Sequence, residues 1–184
     1  MPHAPFVHLR VRTSYSLLEG AIDHKALAAR AAASGMPAVA VTDNANLYGV
    51  MSFCSATLAA GVQPIIGALL PLALAEGQRS FRRERQHSPA LLPVLAQNAA
   101  GYGSLMKLMS TLHFEAGSDK GLTPDVAGTA ERRPDRPDGR RRRAARPAAA
   151  ARQDAALVLL DHLAEAFAGR LYVELQHHGE SPRR

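Results

Sequence analysis

Within its first ~70 residues the chain alternates between short apolar runs and helical segments that end on glycine, and that pattern restricts it to an α/β architecture. Ala38–Thr42 (AVAVT) and Pro64–Leu70 are apolar, rich in branched side chains and bounded by turn residues. Strands buried on both faces of a parallel sheet read this way. His8–Val11 reads as an earlier strand. Asp23 supplies an N-cap for a helix running through Ser34, with Gly35 as its stop and Pro37 just beyond. Leu47–Ala60 is the second helix, stopped by Gly61. The order β-α-β-α-β at this spacing predicts parallel strands joined by crossover helices. A barrel and a doubly wound sheet are both open at this point.

Further along, Glu76–Ser88 is polar and charged and reads as a loop or insertion. Leu91–Ala96 reads as a strand, and Pro93 within it indicates an edge position or a strand start. Ala99–Leu112 reads as an amphipathic helix whose Tyr102, Leu105, Met109 and Leu112 share a face. Asp154–Phe167 reads as a helix with an apolar stripe of Leu157, Leu160, Leu163 and Phe167, and Leu171–Leu175 as a strand.

The net charge of +6 belongs to one segment. Glu131–Arg152 carries nine arginines against three acids, while the rest of the chain balances thirteen basic against thirteen acidic residues. This tract has no Leu, Ile, Val or aromatic residue, so it cannot bury enough apolar surface to offset the entropy of ordering it. Two accounts fit: a basic disordered insertion, or an arginine-, proline- and alanine-rich product of a shifted and restored reading frame. No run of ~18 apolar residues is present to span a membrane, and no signal peptide is read at the N-terminus. Cys54 is the single cysteine, so no internal disulfide or cysteine-built zinc site is expected. That usage fits a reducing, cytoplasmic setting, with Cys54 as a buried structural thiol.

Five stretches carry a family likeness: HLRVRTSYSLLEG from His8, TDNANLYGV from Thr42, PIIGA from Pro64, NAAGYGSLMKLMS from Asn98 and GRLYVELQHHG from Gly169. Together they resemble the PHP (polymerase and histidinol phosphatase) domain, in the form found at the N-terminus of replicative bacterial DNA polymerase III α subunits. The likeness covers nearly the whole chain, residues 1–184, apart from the anomalous tract at 131–152. It implies a distorted barrel of seven β/α units, incomplete at the C-terminus of this chain, with metals at the C-terminal ends of the strands, where loops are free to vary.

Position by position, the resemblance puts the family's ligand residues on Arg10, Arg12, Glu19, Asn44 (just past Asp43), Leu69 and near Leu91. A further ligand would lie in the anomalous tract, and a final Asp-x-His pair lies beyond residue 184. A guanidinium is always protonated and has no lone pair to donate, so Arg10 and Arg12 cannot ligate a cation. Leu69 offers no donor atom at all. Only Glu19 remains a competent ligand where a metal needs three or more. The expectation is a degenerate site with no catalytic residue and no metal, in which Arg10 pairs with Glu19 or Arg12 with Asp43; anion binding by the two arginines is the alternative. His8 shares a face with Arg10 and Arg12 if the strand keeps period two, whereas His177 and His178 point to opposite faces. His87 forms no recognisable pair with Asp43.

The resemblance therefore implies a fragment of a DNA-directed DNA polymerase that is itself a structural and interaction module. Its implied partners are the remainder of the α subunit, the proofreading exonuclease subunit and, through the holoenzyme, DNA. Magnesium is implied for the full polymerase and no cofactor for the fragment, whose polymerase palm would lie far downstream. A metal-dependent phosphoesterase or 3′–5′ exonuclease is the alternative from the same family. Nucleic-acid binding through the arginine tract would be sequence-independent and salt-sensitive, but no aromatics interleave the arginines to stack bases.

Overall fold

The structure is a computed structural model that describes residues 6–72, 90–116, 121–122 and 150–174. It divides into two units, Met1–Glu131 and Arg132–Arg184. The expected loop at Glu76–Ser88, the paired histidines at 177 and 178, and all of the arginine tract except its last three residues lie outside the described residues.

In the first unit, α1 (His24–Ala33) and α2 (Val50–Ala59) flank β1 (Ala38–Asn44), and β2 (Gln63–Leu72) follows. Both helices stop by the same device. Gly35 and Gly61 adopt φ of 68° and 71°, a left-handed conformation that carries little cost for a residue without Cβ. The amides that follow then fold back onto the last turn: Gly35 and Met36 donate to the carbonyls of Ala32 and Ala31, and Gly61 and Val62 to those of Leu58 and Thr57. At the other end of α1, the Asp23 side chain accepts from the Ala26 amide at 2.8 Å. The two glycine stops and the acidic cap are where the sequence placed them.

β1 and β2 pair in parallel, with Val41 beside Ile66, Asp43 beside Ala68 and Asn44 beside Leu69. β3 (Ala90–Leu95) adds antiparallel to β2, giving the order β1-β2-β3, with Pro93 opposite Leu69. A mixed sheet of three strands is thus what the described residues contain. The α/β class holds, but these strands do not close into a barrel.

Two apolar clusters hold the sheet. Leu27 and Ala31 of α1, Val39 and Val41 of β1, Phe53 of α2 and Val62 form one. Ala68 and Leu70 of β2, Leu122, and Leu105, Leu108, Met109 and Leu112 form the other. The last four belong to α3 (Ala99–Thr111) and the π-helical turn Leu112–Ala116 that continues it. Leu108 joins the buried face that the periodicity assigned to Tyr102, and Tyr102 is half-buried.

Three expectations need correction. The segment at His8–Val11 is not a regular strand. Ala40 donates to the His8 carbonyl, but Thr42, two residues on, donates to that of Val11. A regular parallel ladder advances two residues on both sides, so one extra residue is accommodated here, as in a bulge. The alternation that would place His8, Arg10 and Arg12 on one face is interrupted. Second, α4 (Ala150–Ala166), in the second unit, begins four residues before the expected start and takes in Ala150, Ala151 and Arg152 of the arginine tract. Alanine is the strongest helix former, so the end of that tract extends the helix. On α4, Leu163 is buried while Leu157 and Leu160 are exposed. Third, residues 171–174 carry no regular structure. A β-branched and aromatic run becomes a strand only by pairing with a neighbour, and the described residues 171–174 form no ladder.

Candidate functional site

Of the residues singled out in the sequence, Arg12, Glu19, Asp43, Asn44 and Leu69 lie around the C-terminal end of β1 and the turn-rich segment 13–20. That segment leaves the edge of β1 and returns to start α1. Thr13 bridges to Ile22, and the Ser14 amide donates to the Ile22 carbonyl at 3.0 Å, closing the loop at its base. Ser16 is the pivot inside it: its amide donates to Thr13 O, and its carbonyl accepts from Glu19 and Gly20. Gly20 has to be glycine, because a Cβ there would overlap the Thr13 carbonyl.

Asp43 organises the loop. It is buried, and its carboxylate accepts from the Thr13 amide at 2.7 Å, the Thr13 hydroxyl at 2.8 Å and the Ser16 hydroxyl at 2.7 Å. Ser16 Oγ in turn accepts from the Asn44 amide at 3.0 Å. Asn46 extends the network, donating to the carbonyls of Tyr15 and Asn44 and accepting from the Tyr48 amide. A buried carboxylate needs such donors, since an unsatisfied one is strongly disfavoured in an apolar surrounding.

Arg12 and Glu19 form an ion pair at 2.8 Å on the rim of this loop, with about a third of each side chain exposed. Glu19 thus pairs with Arg12, and Asp43 is held by Thr13 and Ser16, where the expectation is Arg10 with Glu19 or Arg12 with Asp43. Glu19 and Asp43 are both local carboxylates for a strand arginine, but Thr13 and Ser16, three residues apart, turn both hydroxyls onto Asp43 from one loop.

Asn44 and Leu69 are brought side by side by the parallel register, and aligned residues of a parallel pair face the same side. Leu69 is fully buried. Leu91 lies opposite Pro71, two residues along β2 from Leu69. The cluster thus gathers Arg12, Glu19, Asp43, Asn44 and Leu69 around the loop and the strand end.

At the described positions of the cluster, the side chains offer few free donors to a cation. The described residues contain no group of three or more His, Cys, Asp or Glu side chains placed to hold one. Independently of that, Leu69 fills its position with carbon, Arg12 engages the carboxylate of Glu19, and the oxygens of Asp43 are taken by three donors.

The sequence reading missed His24. It is buried in the first turn of α1, stacked on Tyr15 at 5.2 Å and edge-on to Phe53 at 5.9 Å, and its Nε2 has no hydrogen-bond partner among the described residues. A Cβ at Gly49 would overlap this imidazole and the Tyr15 ring, so glycine is what lets α2 start against the stack. Only the aromatic at 15 and the glycine at 49 hint at it in the sequence. A further link is His113, whose Nε2 lies 2.8 Å from the Ala45 carbonyl, at a residue with φ of 52°. Cys54 is half-buried, and burial pushes its thiol pKa up, which leaves less thiolate at neutral pH.

The family description "PHP domain" matches residues 8–178. The DNA polymerase III subunit alpha of Caulobacter vibrioides is 38% identical over 192 aligned residues, 95% of this chain and 15% of that protein. Proteins of the same name from Pseudomonas aeruginosa and Escherichia coli are 42% and 40% identical over 57% and 60% of the chain. These cover 8% and 9% of the relatives' own lengths, so the chain spans a small part of each.

Proposed function

Because this chain belongs to the PHP-domain family, we propose that it acts as the PHP portion of a DNA polymerase III α subunit and serves as a structural and interaction module with a degenerate metal site. On this reading the surrounding architecture is the family's distorted (β/α)7 barrel. The partners are the remainder of the α subunit, the proofreading exonuclease subunit and, through the assembled polymerase, DNA, in the bacterial cytoplasm. Magnesium serves the polymerase centre of the full protein, and this region holds no cofactor.

One observation carries the reading. Glu19, the single competent side chain at the ligand positions, is neutralised by Arg12 at 2.8 Å. A guanidinium in that place supplies the positive charge a cation would bring, and it cannot activate a water molecule or polarise a phosphate ester as a metal does. Chemistry at this site would require the charge to be mobile or the ligand set to be restored.

Surface character supports the interaction role. Leu17, Leu18, Tyr48 and Met51 are 83%, 103%, 74% and 77% exposed, and all lie on the loop and helix start around the cluster. Leu18 holds a φ of 63°, a conformation that disfavours a bulky side chain. Large apolar side chains presented together on an ordered loop mark a contact surface.

The test is to purify the full chain, measure its metal content by elemental analysis, and assay hydrolysis of phosphate esters and 3′-ended DNA with added manganese. The expected result is sub-stoichiometric metal and no turnover. Near-stoichiometric zinc, manganese or iron, with activity lost in Glu19→Ala, would overturn the reading in favour of a phosphoesterase or 3′–5′ exonuclease. For the interaction role, Leu17→Ser together with Leu18→Ser should weaken binding to the rest of the α subunit by at least tenfold in a pull-down titration. Unchanged binding would remove the apolar surface from the account.

A further inference from the structure

We draw no further inference here: the strongest candidate, the exposed apolar patch of Leu17, Leu18, Tyr48 and Met51 beside the C-terminal end of β1, already serves the reading above and nothing in the structure shows what covers it.

Discussion

The two sides of the β1 strand end solve the same problem by opposite means. On one side, Asp43 keeps a buried carboxylate and surrounds it with the Thr13 amide and the hydroxyls of Thr13 and Ser16. On the other, Asn44 stands beside a fully buried Leu69, which fills its position with carbon. A polar group in a fold's interior can be retained with all its partners or replaced by well-packed carbon; a half-satisfied arrangement costs more than either. The first solution depends on direction and on every donor. The second depends on volume.

Removing Asp43 should have the largest effect on this contrast. Asp43→Ala leaves a buried amide and two hydroxyls without their acceptor, at roughly 1–3 kcal/mol for each unsatisfied group. Urea unfolding should show a loss of about 4 kcal/mol, and Asp43→Asn, which keeps one acceptor oxygen, a smaller loss of about 2 kcal/mol. A loss under about 1 kcal/mol for the alanine variant would mean that the network is not what holds the loop. The apolar side is tested by Leu69→Ala, which should cost about 3 kcal/mol by lost transfer energy and a residual cavity. Leu69→Met, close in volume, should cost well under half of that. If the methionine variant were as unstable as the alanine one, volume would not be what the site requires.

Gly49→Ala probes the join between loop 13–20 and α2. The added methyl would overlap the His24 and Tyr15 rings, so about 2 kcal/mol of destabilisation is expected. Recovery of part of that loss in a Gly49→Ala, His24→Ala double variant would show that the imidazole is the obstacle. The smallest effect belongs to the ion pair. Arg12 and Glu19 are about a third exposed, so solvent screens them, and a double-mutant cycle should give a coupling below about 1 kcal/mol that shrinks with added salt. A coupling several times larger would place that pair inside the core network rather than on its rim.

Much of the framework was legible because local chemistry enforces it. Asp23, Gly35 and Gly61 mark helix ends through hydrogen bonds made within a few residues, so their meaning does not depend on the rest of the fold. The apolar runs at 38–42 and 64–70 announce buried strands because any partner would have to cover them, and the strands extend a residue or two beyond them, over Ala38–Asn44 and Gln63–Leu72. That Arg10, Arg12 and Leu69 offer no lone pair to a cation is equally readable, since a guanidinium or a hydrocarbon lacks one in every fold.

What only the tertiary structure decided was pairing across distance. Asp43 takes its donors from residues thirty and twenty-seven positions away, and Glu19 goes to Arg12 because loop 13–20 turns it back to the rim. The same holds for the slipped ladder between His8 and Val11, for the antiparallel addition of β3, and for the stack that buries His24. Each of these depends on which groups the closed chain brings within about 3 Å for a hydrogen bond or van der Waals range for a ring, and several candidates of suitable chemistry lie along the sequence. Residue types set what each group could do, and proximity on folding selected which of those possibilities was realised.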